Sequence, residues 1–597
     1  MGVSSRNRAF WIGATTAALF TAVSLRLVDL QVARHEYYSA LAVEKHSARQ
    51  AITARRGSIT DANGQILATN EPVKTVVVDA SITKRPDDLA EVLARHLEMP
   101  EDVVRQKIGR NVWSSQLEAM VPSRYNVIKH EVSEFTAEAL TKELAERKIR
   151  GVSLEQDFIR VYPNGSMLCH VLGFMNREGQ GVDGVEREMQ QWLSGHDGFR
   201  FTERDRTGKE MVAFRKLERP PRDGSNVRLT IDLALQDIVE TEMDAVMSQF
   251  KPEMATCILM RPTTGEILAM VNRPNYNLNQ REGVPAEARK NRAIADMVEP
   301  GSTFKLVTTA AALDCKVVKP DTEIYCEHGK FTYAGTTLHD SHHGYGSLSV
   351  HDVLVKSSNI GVAKMGIMLG SSQLYDYIKK FGFGERTEIA LPLEIRGKVH
   401  PLHRWSKISI THVPMGHEVG ATPLQVISAM CTVANRGVMM QPQIIASITD
   451  AAGQVQAEYP PVEVRRVIPA EVAEMVVSAL KEVVSRKGTA AAAHVPGFEV
   501  AGKTGTAQKT SPTGGYEHGK YVVSFAGFLP ADKPELCGLV LIDEAHTGSI
   551  PNYGGTVAAP VFSRIAARAM RYLNKTPSTE FLKVPNPLAK AEERKSR

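Results

Sequence analysis

Cysteine is scarce: 6 residues in 597, at positions 169, 257, 315, 326, 431 and 537. None stands as C-x-x-C, so neither a zinc knuckle nor a thioredoxin-like redox pair is indicated. So sparse a supply also excludes a disulfide scaffold. Cys315 and Cys326 could bridge in an oxidising compartment, and two free thiols is the other reading. A dominant charge is lacking too. With 72 basic and 67 acidic side chains the net charge is only +5, which points to a mixed surface and no nucleic-acid partner. There is no internal repeat. Beyond the first segment, no run is long and apolar enough to cross a membrane.

That first segment reads AFWIGATTAALFTAVSL from Ala9 to Leu25, 17 residues without charge. Arg6 and Arg8 precede it, so the positive-inside rule puts a cytoplasmic tail at 1–8 and the bulk of the chain on the other side. A cleaved signal peptide fits the same length. The apolar pattern continues past Arg26 and Asp29 through Leu27, Val28, Leu30 and Val32. An uncleaved single-pass anchor over 9–27 is therefore expected, in a cytoplasmic (inner) membrane, with the rest periplasmic or extracellular.

After the anchor the chain is too long for one compact unit. Residues 28–225 are charged and broken by turn signals at Asn63-Gly64, Asn164-Gly165 and Asp223-Gly224. Extended runs alternate there with helical ones, so an α+β module is expected. The stretch ERPPRDG at 219–225 reads as a boundary. From 226 to 575 the order is a strand, a helix over Leu233–Phe250, and a hairpin around Thr264-Gly265. A helical middle follows, then strands at 521–529 and 536–544 and a closing helix near 561–573. This is an α/β domain, a sheet flanked by helices. Residues 576–597, rich in Lys, Glu and Pro, read as a disordered tail.

Three short motifs carry chemistry. In Pro300-Gly301-Ser302-Thr303-Phe304-Lys305 a turn opens a helix, with Ser302 in its first turn and Lys305 on the same face. A serine hydroxyl needs a base beside it, and a lysine in a dry cleft can be neutral enough to serve. The helix N-terminus adds a favourable field for developing negative charge. S-x-x-K alone is weak: Ser81/Lys84, Ser248/Lys251 and Ser478/Lys481 also match, none after a Pro-Gly turn. Ser357-Ser358-Asn359 ends a helical run. It is either a polar cap between helices or a hydroxyl on a proton route with an amide for a peptide. Lys503-Thr504-Gly505-Thr506 reads as a strand edge, where glycine permits close approach and a cation with hydroxyls suits a carboxylate. The backbone N–H groups of Ser302 and Thr506 would make an oxyanion hole. In this order, the three form the signature shared by penicillin-binding proteins and class A β-lactamases.

Over nearly its whole length the chain resembles the class B penicillin-binding proteins, most closely the division-specific (FtsI-type) septal transpeptidases. Arg26-Leu27 with Leu30-Gln31-Val32 is similar to the family's post-anchor segment. Arg56–Gly64, Arg160–Pro163 and Gly181–Glu186 are similar to motifs of its noncatalytic pedestal or dimerisation module, where salt bridges are expected. Tyr553–Phe562 resembles the septal branch. The resemblance implies that Ser302 attacks the D-Ala-D-Ala carbonyl of a peptidoglycan stem peptide and releases D-alanine. Lys305 takes the serine proton, Ser357 relays it and Asn359 holds the peptide. Lys503, Thr504 and Thr506 hold the terminal carboxylate. An amine from a second stem peptide then takes the acyl group, and β-lactams acylate the same serine. No cofactor and no metal are implied. A membrane-embedded SEDS-family glycosyltransferase and other divisome proteins are the implied partners. One departure stands out: Gly416-His417-Glu418 precedes Thr422-Pro423-Leu424-Gln425 where members often have G-x-G.

Other readings stay open. An elongation-type transpeptidase, a serine DD-carboxypeptidase or β-lactamase, and a non-enzymatic β-lactam-binding scaffold share these motifs. His339, His342, His343 and His351 could also hold zinc, against the reading of a polar loop near the cleft.

Overall fold

The computed structural model describes residues 5–38, 47–114, 118–204, 210–211, 217–341, 344–510 and 515–581. Its first helix, Ser5–Val28, runs through the uncharged segment and passes into a π-type turn at Asp29–Ala33. The side chains of this helix that the structure describes are exposed, and 24 residues, Phe10–Ala33, are apolar enough to cross a bilayer. A long helix that buries none of its apolar surface against protein needs another apolar medium, which supports a membrane anchor. Arg26 and Arg34 both pair with Asp29 where the helix leaves the apolar stretch.

The chain divides into two compact units. The first comprises residues up to Arg56, Asn70–Ile159 and Gly195–Gly224. Its helices Pro86–Leu97, Glu101–Ile108 and Glu134–Glu146 turn one apolar face inward, burying Leu89, Leu93, Val104 and Leu140 with Val76 and Ile128. The alternation of α and β expected for 28–225 is present there.

The second unit gathers Gly57–Thr69, Arg160–Ser194 and everything from Ser225 onward. Strand Asn226–Leu229 pairs parallel with Ile59–Thr60 and antiparallel with Ile445–Thr449. Arg160 meets Glu186 at 2.6 Å, both buried. Removing either partner would break a buried ion pair, a change that costs about 3–5 kcal/mol. Asp61, expected in such a salt bridge, makes none among the described residues. Its carboxylate instead accepts backbone N–H groups from Asn63, Gln65 and Leu233. It thereby ties the Asn63-Gly64 turn to the start of the helix that follows.

The centre of this unit is a five-stranded antiparallel sheet. Its strands are β1 (Met254–Met260), β2 (Ile267–Arg273), β3 (Ala501–Thr510), β4 (Tyr516–Leu529) and β5 (Leu536–Asp543), in the order β2-β1-β5-β4-β3. β1, β2 and β5 are buried along almost their whole length, so their sequences are mostly apolar instead of alternating. Helices α1 (Leu233–Phe250) and α7 (Ala558–Tyr572) pack with one another and on the sheet. Between β2 and β3 lie α2 (Lys305–Asp314), α3 (Val350–Lys356), α4 (Asn359–Leu369), α5 (Pro423–Ala434) and α6 (Ala470–Val483). α2 and α5 are buried almost all round. That explains the small residues Thr308–Ala312, which let neighbouring elements approach the helix closely. β3 is an edge strand, and its outer edge joins no ladder among the described residues.

At the C-terminal end, residues 576–581 do not behave as the expected tail. Gly497 donates to the Phe581 carbonyl at 2.9 Å, and Ser578 donates to that of Gly497 at 2.8 Å. Residues 582–597 lie outside the described residues.

Candidate active site

The turn at Pro300-Gly301 delivers the predicted nucleophile. Residues Gly301–Phe304 form a 3₁₀ turn that runs straight into α2. Gly301 has φ +55°, and a Cβ there would stand 3.1 Å from the Thr506 carbonyl oxygen. Glycine is thus required twice over, for the left-handed backbone and for the approach of β3. Gly505 answers it from the strand side: a Cβ would meet the Ser524 hydroxyl at 2.3 Å and the Pro300 carbonyl at 3.1 Å. The two glycines press the first and third motifs together. Ser302 is half-buried, and its hydroxyl has no hydrogen-bond partner among the described residues.

The second motif closes the group. Ser357 sits at φ +58° between α3 and α4. A serine in that conformation is held against its preference, a kind of strain that concentrates at functional sites. Its hydroxyl accepts from Lys305 Nζ at 3.1 Å and from Lys503 Nζ at 2.9 Å. Lys305 also donates to the Ser357 carbonyl at 2.6 Å and to Asn359 Oδ1 at 2.7 Å. Asn359 thus faces the lysine, while its Nδ2 donates to the His339 carbonyl at 2.9 Å. The Thr504 hydroxyl lies 2.9 Å from that of Thr489, and Thr506 Oγ1 accepts from the Gly554 N–H at 3.3 Å.

Both lysines are almost wholly buried, 1% and 0% exposed. Neither has a carboxylate partner within ion-pair distance among the described residues. Burial pushes Lys305 down to about 7, with the charge of Asp340 pulling weakly the other way. Burial and then the charge of Lys305 hold Lys503 well below the usual lysine range. Two ammonium groups meeting at one hydroxyl in a dry site repel, so a charged Lys305 disfavours the charged form of Lys503. The other S-x-x-K lysine at 481 shows the contrast. It is half-buried and paired with Glu499 and Asp532, which hold its charge on.

Sequence reasoning missed Asp340. Its carboxylate accepts from the Asn359 N–H at 2.6 Å, the Ile360 N–H at 3.1 Å and the Ser358 hydroxyl at 3.0 Å. It therefore caps α4 and fixes the turn that aims Ser357 and Asn359. The only hint in sequence was its place beside the histidines. Of those, His342 and His343 lie outside the described residues, and His351 approaches Glu482 at 3.5 Å. Asp340→Asn is expected to lower stability by about 1–3 kcal/mol, the worth of charge-assisted hydrogen bonds. It is also expected to move the acid limb of acylation to lower pH, because a charge that favours the Lys305 ammonium is gone. Thermal denaturation and a pH profile of penicillin acylation would read the two effects separately.

A buried pair of lysines sharing a hydroxyl, beside a serine at a helix start and the edge strand of an antiparallel sheet, defines a serine acyl-transfer site. The chain matches the penicillin binding protein transpeptidase domain over residues 255–567 and the penicillin-binding protein dimerisation domain over 51–229, and it belongs to that family as a class B serine-type peptidoglycan DD-transpeptidase. It is 32% identical to the stage V sporulation protein D of Bacillus subtilis, over 96% of this chain and 87% of that one. Identity is also 32% to the peptidoglycan D,D-transpeptidase FtsI of Escherichia coli, over 88% and 85%. The crystal structure of penicillin binding protein 3 from Mycobacterium tuberculosis in complex with aztreonam superposes with a TM-score of 0.68 at 25% identity, covering 90% of this chain and all of that one.

Proposed function

We propose that Ser302 carries the acyl group of a stem peptide during cross-linking, and that the cross-links belong to the division septum. The observation that carries the first part is the unbroken contact Lys305–Ser357–Lys503, buried beside the Ser302 turn. Neutral Lys305 takes the Ser302 proton as Oγ attacks the carbonyl of the penultimate D-alanine. The backbone N–H groups of Ser302 and Thr506 receive the developing oxyanion. Ser357 passes the proton toward the departing D-alanine. Lys503, Thr504 and Thr506 hold the substrate carboxylate, and the arriving anion favours the Lys503 ammonium. Asn359 turns from Lys305 to the peptide backbone. An amine from a second stem peptide then displaces Ser302. β-Lactams acylate the same serine.

The septal assignment is supported by the FtsI relative and by the Tyr553–Phe562 stretch. Arg6 and Arg8 support a cytoplasmic N-terminus with the catalytic unit outside. A membrane-embedded SEDS-family glycosyltransferase and other division proteins are the partners this reading needs. The test is to feed full-length protein in lipid a D-Ala-D-Ala stem-peptide donor with an amine acceptor. D-Alanine release matched by cross-linked product is expected. Release matched by free acid alone would make the chain a carboxypeptidase. Depletion in the host should give filaments, and rounded cells would reassign it to elongation.

A further inference from the structure

Beside the nucleophile's turn lies a group of titratable side chains that these steps leave unused. His417 Nδ1 lies 2.7 Å from Glu299 Oε2, and Glu299 stands three residues before Ser302. The Tyr516 hydroxyl donates to the same carboxylate at 3.2 Å and lies 3.1 Å from Nδ1. The Glu418 N–H donates to Glu299 Oε1 at 2.9 Å, while its carboxylate accepts from the Ser409 hydroxyl at 2.6 Å. The loop carrying His417 is strapped to the nucleophile's turn. Gly301 donates to the Gly416 carbonyl at 3.3 Å, and a Cβ on Gly416 would stand 2.2 Å from the Gly301 oxygen. With Nδ1–H on Glu299, the other ring nitrogen carries the lone pair. Nε2 has no partner among the described residues, and the side chain is 24% exposed. An imidazole oriented by a carboxylate through one nitrogen, with the other free on a loop strapped to a nucleophile's turn, is arranged as a proton acceptor.

The second half of the reaction needs one. A primary amine arrives as ammonium and must lose two protons to become an amide nitrogen. Lys305, already tied to Ser357 and Asn359, can handle one at a time. We propose that His417 takes the other, with Glu299 and Tyr516 as its positioning residues. This inference rests on Ser302 carrying the acyl group. Nε2 removes one proton from the acceptor R–NH₃⁺. The nitrogen lone pair attacks the ester carbon, forming C–N, and the bond from that carbon to Ser302 Oγ breaks. The second proton passes through Lys305 to Oγ, restoring the serine hydroxyl. The third stays on the amide. The imidazolium then returns its proton to water.

The experiment measures how the acyl-enzyme partitions. A D-alanyl thioester serves as donor, with either D-alanine or hydroxylamine as acceptor. Hydroxylamine is largely unprotonated at neutral pH and has no ammonium proton to lose. In His417→Gln, transfer to D-alanine is expected to fall about 100-fold, in the usual range for a lost general base. Transfer to hydroxylamine should fall far less. Equal losses with both acceptors would mean a structural role and overturn the proposal, as would no loss with either. Should His417→Gln fail to take up penicillin, Glu299→Gln carries the same comparison with the same two outcomes. Failure of wild type to bind penicillin covalently at Ser302 would instead overturn the reading on which this one rests.

Discussion

Ser302→Ala is expected to abolish covalent labelling by a fluorescent penicillin while leaving the protein folded. No other hydroxyl can take its place. Ser357 is buried and already occupied by two lysines. Thr506 lies on β3 with its hydroxyl engaged by Gly554. The loss should therefore be complete, and D-alanine release should vanish with it. Stability should barely move, because the Ser302 hydroxyl makes no hydrogen bond among the described residues and such changes usually stay within about 0.5 kcal/mol. Gel fluorescence against a melting curve checks both halves. A labelled band surviving in the folded variant would place the nucleophile elsewhere.

Lys305→Met should have the second-largest effect, a fall in the acylation rate constant of about 10³-fold, within the range for removing a positioned base. In wild type only neutral Lys305 accepts the proton. Acylation should therefore rise with pH, reach half its plateau near 7, and fall tenfold per unit below it. The methionine variant should lose this limb. The same substitution should raise stability where it removes activity. An unfolded lysine titrates near 10.4, so between about 7 and that value the unfolded chain binds more protons than the folded one. Wild-type stability therefore grows as pH rises through this window and is least below it, where a charge must be buried. Lys503 acts in the same sense. Lys305→Met should accordingly melt higher than wild type at pH 6, with the gap closing toward pH 10. Calorimetry at the two pH values decides it, and a variant less stable at pH 6 would remove the buried-lysine account.

Much of the site was legible because its chemistry is written in short runs. Pro300-Gly301 announces a turn, Ser302 and Lys305 share a helical face, and Lys503–Thr506 carries strand and glycine together. The sheet was equally legible, since residues 521–529 of β4 and most of β5 are long apolar runs. What stayed hidden is assembled from distant segments. Asp340 becomes a cap only when α4 folds beneath it. Glu299, His417 and Tyr516 meet only because Gly301 and Gly416 let two loops touch. The displaced glycine at Glu418 was visible in the sequence, but not that its φ is +60°. That conformation suits glycine, and Glu418 tolerates it while two of its groups are bonded. Segments 57–69 and 160–194 joining the second unit could not be read from chain order either, because Asp61 reaches Leu233 and Arg160 reaches Glu186 only in space.

The free edge of β3 has a meaning beyond catalysis. An unpaired strand edge is a template that any extended chain can join, and proteins commonly blunt such edges to avoid joining their own copies. Under the function proposed above the edge stays open so that an extended substrate can add itself as a further strand. The safeguard is therefore selectivity. A cation recessed beside the strand rewards only a chain that ends in a carboxylate. The glycine at 505 keeps the strand close to the nucleophile's turn, because a Cβ there would meet the Pro300 carbonyl at 3.1 Å. Removing that recessed cation would leave the edge open to any extended chain.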